Sequence, residues 1–204
     1  LLSKFEGYDY QIQTLNSARN LEYAAIFHEQ GTGKTKIAID LGLEWLKENI
    51  VDSILVVVKK GLVKNWEDEI QTHSFIKARV LNNDVGNNHE VFCSPARIIL
   101  MHYQVATKEK DRLEMFLQSR RVGIILDEAQ VIKTPDSTLS KTFHYLSDHF
   151  TRKLILTGTP IANRPYDIWS QIYFLDKGKS LGESYLEFKN NTDLSNDLHE
   201  NDIG

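Results

Sequence analysis

The sequence holds a single cysteine, Cys93, which excludes an internal disulfide and fits a reducing compartment. An intracellular setting, cytoplasm or nucleus, is therefore expected. No stretch approaches the roughly 18 consecutive apolar residues that a membrane span requires, so no membrane partner is expected. The opening Leu1-Leu2-Ser3-Lys4-Phe5-Glu6 lacks the basic-then-apolar pattern of a leader. An initiator Met is also missing, and the chain is read as a piece of a longer polypeptide. There is no excess of basic charge: 24 Lys and Arg stand against 28 Asp and Glu, a net charge of -4. That argues against a basic arm or a whole-surface nucleic-acid binder, and leaves room for a local basic strip. The seven histidines are scattered, with no pair at metal-ligand spacing, so zinc is not expected. Internal repeats and low-complexity tracts are absent too. What remains is 204 residues, 41% hydrophobic and 25% charged, which suits one α/β domain with at most a small appendage.

The chain alternates short β-rich runs with longer amphipathic ones. Strands are predicted at Glu22 to Phe27, Ser53 to Val58, Lys77 to Leu81, Arg97 to Met101, Val122 to Leu126 and Lys153 to Leu156. Helices are predicted at Tyr8 to Asn20, Lys34 to Asn49, Leu62 to Thr72, Thr107 to Arg120, Ser137 to Ser147 and Pro165 to Leu175. Asn82 to His89 reads as an Asn- and Gly-rich loop. Strands without polar alternation, separated by helices, indicate βαβ units: a mostly parallel central sheet with helices on both faces. The polar stretch Lys189 to Gly204 reads as a frayed or truncated end, with the domain proper at residues 1–188.

Phe27-His28-Glu29-Gln30-Gly31-Thr32-Gly33-Lys34-Thr35 follows a predicted strand and opens a predicted helix, the setting of a phosphate-binding loop. Gly31 and Gly33 permit backbone conformations closed to residues with a Cβ, so successive N–H groups around Thr32 can face phosphate oxygens. The helix N-terminus adds a partial positive charge. Lys34 would reach the β- and γ-phosphates of ATP, and Thr35 would offer a hydroxyl to Mg²⁺. The strict motif wants Gly at position 28, where this chain has His28, so only the G-x-G-K-T core stands.

A second signal is the strand Val122 to Leu126 running into Asp127-Glu128-Ala129-Gln130. Asp127 would hold Mg²⁺, mostly through water, and Glu128 would orient and deprotonate an attacking water. A third is the strand ending in Thr157-Gly158-Thr159-Pro160, whose hydroxyls could bond the acidic segment or the γ-phosphate region. In an open parallel sheet all three would meet at the C-terminal edge.

In this order the three stretches resemble the first core motifs of superfamily-two helicases, and within them the Swi/Snf-type DNA translocases. Tyr10-Gln11-Ile12-Gln13, Leu62-Val63-Lys64-Asn65-Trp66, Val131-Ile132-Lys133 and Ile168-Trp169-Ser170 extend the resemblance from Tyr8 to about Phe188. The chain departs from the family pattern at His28, Gln30 and Thr32, and at Gln130 where His is common. The resemblance implies a RecA-like P-loop lobe, the first of two, with Gln11 reading adenine, Gln130 joining Glu128 and Lys34 in the catalytic set, and Thr157, Gly158 and Thr159 coupling γ-phosphate sensing to movement. It implies a partner lobe supplying an arginine finger, so that residues 1–204 alone would hydrolyse ATP poorly. It also implies duplex DNA, gripped by its backbone without sequence preference. The expected contacts are Lys59, Lys60 and Lys64 beside a helix start and Tyr103 after the next strand, with Lys133 and Arg164 nearby.

A true helicase or a restriction-system motor of the same superfamily is the alternative enzyme reading, and a nucleotide sensor without turnover the alternative from another class. A P-loop kinase would leave Thr157 to Pro160 unexplained. Cys93 is expected to be buried or half-buried, and Trp45, Trp66 and Trp169 to be packing residues.

The phosphate loop carries the first prediction. Replacing Lys34 by Ala removes a charge-assisted hydrogen bond, and ATP should bind about tenfold weaker or worse. Titration of labelled ATP against wild type and Lys34→Ala checks this, and equal affinities would remove the site.

Overall fold

In the computed structural model, residues 3–29, 31–161 and 164–192 are described. Six strands form one sheet: β1 (Tyr23–Phe27), β2 (Ser53–Val58), β3 (Arg79–Leu81), β4 (Ile98–His102), β5 (Val122–Asp127) and β6 (Arg152–Thr157). Their order is β1-β6-β5-β2-β4-β3, and every pairing is parallel. The runs Ser53–Val58, Ile98–His102 and Val122–Asp127 are buried at every position, as strands covered on both faces must be.

The helices are α1 (Asp9–Ala18), α2 (Lys34–Lys47), α3 (Val63–His73), α4 (Val85–Cys93), α5 (Tyr103–Lys108), α6 (Lys110–Ser119), α7 (Thr138–Leu146), α8 (Trp169–Asp176) and α9 (Tyr185–Thr192). They divide between the two faces. Residues of α1, α2 and α3 pack with Ile26, Ile54, Val56, Val58, Ile125 and Leu156 on one side. Those of α5 to α8 pack with Leu55, Val57, Ile124, Leu126 and Ile155 on the other. The alternation of 54, 56, 58 against 55, 57 is the two-residue period of a strand sorting side chains between two cores. All three tryptophans are buried, as expected of packing residues.

Four local expectations are corrected. Asn82 to His89 is not a loop throughout, because helix α4 begins at Val85. Asp84 caps it by accepting from the Gly86 and Asn87 N–H groups, and the Asn82 side chain accepts from the Asp84 N–H. Buried Asn88 then donates to the Asn82 carbonyl and to Glu109. The asparagines thus satisfy backbone groups. Second, the single helix over Thr107 to Arg120 is two, α5 and α6, meeting at the buried carboxylate of Glu109. Third, Pro165–Ile168 is a 3₁₀ turn and α8 starts only at Trp169. Fourth, Cys93 ends α4 and is exposed. The expected boundary after Phe188 falls inside α9, and the remainder of the polar tail, 193–204, lies outside the described residues.

One close approach locks α2 to the sheet. A Cβ built on Gly123 of β5 would lie 2.9 Å from Trp45 Cε3 and 3.1 Å from Cζ3, and Trp45 is 2% exposed. A strand position should gain from replacing Gly, so any loss reports this contact. Gly123→Ala is expected to lower stability by about 1–3 kcal/mol through overpacking. Thermal melts should show Tm falling by at least about 2 °C, and an unchanged or raised Tm would mean that Trp45 moves aside without cost.

Candidate functional site

The sheet order brings the chemistry together. β6 lies between β1 and β5, with Phe27 beside Thr157 and Asp127 beside Leu156. The glycine loop, the acidic segment and the Thr157 turn therefore leave the sheet side by side at its C-terminal edge. The glycine loop and the acidic segment border a cleft of about 570 Å³, lined among others by Gln11, Gly31, Gly33, Lys34, Thr35, Trp66, Asp127 and Glu128.

The loop is a left-handed turn feeding a helix. Gly31 (φ 81°) and Gly33 (φ 72°) both have positive φ, and Gly33 caps α2. A Cβ at Gly33 would lie 2.2 Å from Gln11 Nε2, so the side chain of α1 rests directly on the loop backbone. Gln11 Oε1 accepts from the Tyr8 N–H (2.9 Å), and Tyr10 donates its hydroxyl to the Thr32 carbonyl (2.9 Å). The Thr32 hydroxyl donates to the Glu29 carbonyl (2.8 Å). Lys34 is largely buried, and its ammonium donates to the carbonyls of His28 (2.7 Å) and Glu29 (2.8 Å). The loop's own oxygens hold the charge at the cleft floor. Thr35 lines the cleft one residue further along α2. Gln30 lies outside the described residues.

Asp127 ends β5 and is 8% exposed. Oδ2 accepts from the Trp66 indole Nε1–H (2.8 Å) and Oδ1 from the Glu128 N–H (3.0 Å). Burial raises the Asp127 pKa above the usual aspartate value, an effect opposed by the Trp66 hydrogen bond and reinforced by the neighbouring Glu128 charge. Tyr103 donates its hydroxyl to the Asp127 carbonyl (2.7 Å). Burial, with the charges of Asp127 and Glu128, pushes the Tyr103 phenol well up, so it stays a donor.

At Glu128 the chain turns sharply (φ 53°, ψ 52°), a left-handed conformation rare for a side chain of this size. Gln130 donates its amide to Glu128 Oε2 and accepts from the Thr157 hydroxyl (2.7 Å), which in turn accepts from the Thr159 N–H (3.0 Å). A continuous hydrogen-bonded chain thus runs from Glu128 across to the end of β6. Gly158 is the link between the two threonines.

The expected DNA set divides. Lys59 and Lys60 follow the C-terminal end of β2 and are exposed. Lys64, on the first turn of α3, is exposed and pairs with Asp68 (2.9 Å) and Glu67 (3.3 Å), Asp68 foremost in raising its pKa. Tyr103 must be withdrawn from the set: it is 1% exposed and packs edge-on against Phe143, with its hydroxyl under Asp127. It stands at the first position of α5, immediately after β4, and there the ring is directed into the core. Lys133 bonds Asp167 (3.2 Å) on the far side of the acidic segment.

The residue that sequence reading missed is Trp66. Its burial was foreseen, but its donor reaches a carboxylate 61 positions away, which only the pairing of β2 with β5 reveals. Asn65, Glu69 and His73 line the same cleft from α3, a helical spacing visible in the sequence without its target.

Comparison with known proteins agrees with this architecture. The profile of the SNF2-related domain matches residues 10–201. A protein of Oryza sativa subsp. japonica named "Probable chromatin-remodeling complex ATPase chain" is 36% identical over 179 residues, covering 82% of this chain and 16% of that protein. The chromatin-remodeling ATPase INO80 of Cryptococcus neoformans is 31% identical over 200 residues, 88% of this chain and 11% of its own length. Among solved structures, the Sulfolobus solfataricus SWI2/SNF2 ATPase core in complex with dsDNA superposes with a TM-score of 0.77 at 29% identity, over 92% of this chain and 39% of that one. The chain therefore spans only a small part of the curated relatives it matches, and its six-stranded parallel sheet is the RecA-like sheet of that core. On its sequence and on its fold, the chain belongs to the SNF2-related domain family.

Proposed function

We propose that this chain is the first, ATP-binding lobe of an intracellular Swi/Snf-type ATPase that couples hydrolysis to movement on duplex DNA. The observation that carries the reading is the convergence of Lys34, Asp127 and Glu128 on one cleft at the C-terminal edge of the sheet, with Glu128 tied through Gln130 to Thr157. Support for DNA comes from the solved SWI2/SNF2 core, which is in complex with dsDNA. Residues 1–188 would form the lobe, and a second RecA-like lobe of the same longer chain would close the cleft.

The donor set fits ATP with Mg²⁺. The positive-φ glycines leave backbone N–H groups unobstructed by any Cβ, and Lys34 already sits at the cleft floor among oxygens that phosphate oxygens can replace. Asp127 and Thr35 would hold the metal, which when bound offsets charge on the phosphates. Gln11, already bonded to Tyr8 and packed on Gly33, would present its amide to adenine. Glu128 would take the proton of the attacking water. In the described geometry its carboxylate is engaged by Gln130, so the Thr157–Gln130 pair sets where that carboxylate points. Lys59 and Lys60 would meet DNA phosphates. Lys64 would contribute less, because Asp68 and Glu67 already draw on its charge.

Two outcomes test the proposal in the full-length protein. Glu128→Gln should bind ATP nearly as wild type while turnover falls about 10²-fold or more, the usual worth of a general base. Wild-type phosphate release by that variant would exclude Glu128 as the base. Reversing both Lys59 and Lys60 to Glu should weaken DNA binding and reduce the slope of log affinity against log salt by roughly 1–2. If the slope stays as it was, the DNA path lies elsewhere on the lobe.

A further inference from the structure

We infer that Trp66 is a positioning residue for Asp127: its indole N–H fixes the orientation in which that carboxylate meets Mg²⁺. The inference rests on the proposed role of Asp127 as the metal-handling group. Indole nitrogen donates and never accepts, so a buried one is satisfied only by an acceptor aimed at it. Trp169 finds the Gly182 carbonyl at 3.1 Å, and Trp45 has no hydrogen-bond partner among the described residues. Trp66 alone of the three points its donor at a charged group.

The geometry restricts Asp127 strongly. Trp66 holds Oδ2 and the Glu128 N–H holds Oδ1, while the Tyr103 hydroxyl fixes the carbonyl of the same residue. Each carboxylate oxygen has lone pairs to spare after one such bond, and Asp127 lines the cleft. Without the indole, the carboxylate could rotate about its last side-chain bond, with only the Glu128 N–H to resist. A metal held partly through water needs an oxygen at a fixed place, and partners that orient a metal ligand commonly matter for affinity by about 10- to 100-fold.

Trp66 also belongs to α3, which carries Lys64 outward and Asn65, Trp66, Glu69 and His73 toward the cleft. The helix begins just after Lys59 and Lys60. The side chain that orients the carboxylate is thus mounted on the element adjoining the exposed lysines.

The test compares ATP affinity in Mg²⁺ with that in EDTA, in the full-length protein, for wild type, Trp66→Phe, Asp127→Asn and the double variant. Phe keeps an aromatic ring and removes the donor. The gain in affinity that Mg²⁺ confers should shrink by about tenfold in Trp66→Phe, and the double variant should lose no more of it than Asp127→Asn. Equal losses in Mg²⁺ and in EDTA would assign Trp66 to packing and overturn the inference. An intact Mg²⁺ gain in Asp127→Asn would overturn the metal reading of that residue and this inference with it. A gain abolished in Asp127→Asn yet intact in Trp66→Phe would overturn this inference alone. Should Trp66→Phe not fold, the assigned indole ¹⁵N–H resonance of Trp66 in the full-length protein decides. It should move both in Asp127→Asn and on adding Mg²⁺ to the ATP-bound wild type, and an unmoved resonance would sink the idea.

Discussion

The site depends on one buried carboxylate. Asp127 lies at the end of a strand that is covered on both faces, where an unpaired charge would be costly. Its two oxygens are met by donors from different elements, the indole of α3 and the N–H of the next residue, and its carbonyl by the phenol of α5. Those contacts convert three separately packed elements into one wall of the cleft. They also dictate what surrounds them. Tyr103 stays protonated because burial and two acidic neighbours oppose its ionisation. Glu128 leaves the strand direction through its left-handed backbone, and its carboxylate is held by Gln130.

Much of this was legible in the sequence. Runs such as Ser53 to Val58, with no polar alternation, read as strands buried on both faces, and their separation by helices indicates a mostly parallel sheet. Because ligand-bearing turns in such sheets share the C-terminal edge, the motifs at Gly31, Asp127 and Thr157 could be placed together without coordinates. Illegible were the contacts decided by side-chain direction. Tyr103 follows a strand end just as Lys59 does, yet one ring turns into the core and the other side chain faces solvent. Asn82 to Asn88 misled by composition: asparagine marks loops, yet here Asn82 and Asn88 satisfy backbone N–H groups beside a helix that Asp84 caps. Glu109 stands at the break in a charged amphipathic run, where its buried carboxylate accepts from Asn88 and pairs with Arg112.

The same distinction separates the two kinds of charge in the molecule. Lys34 and Asp127 are withdrawn from water and satisfied by fixed partners, so their positions are set by the fold. Lys59 and Lys60 are exposed beside a helix start. Salt would screen the latter and leave the former nearly untouched. Nucleotide and polyanion recognition on one lobe would therefore respond differently to ionic strength.

The place of β6 has a mechanical consequence. It is hydrogen-bonded along its length to β1 on one side and β5 on the other, so the glycine loop and Asp127 are joined through two complete parallel ladders. To change the spacing between them, the chain would have to shear the backbone hydrogen bonds of both ladders. That spacing behaves as a stiff gauge. The Glu128 turn and helix α3 lie outside those ladders and are tied to the site by side-chain hydrogen bonds instead.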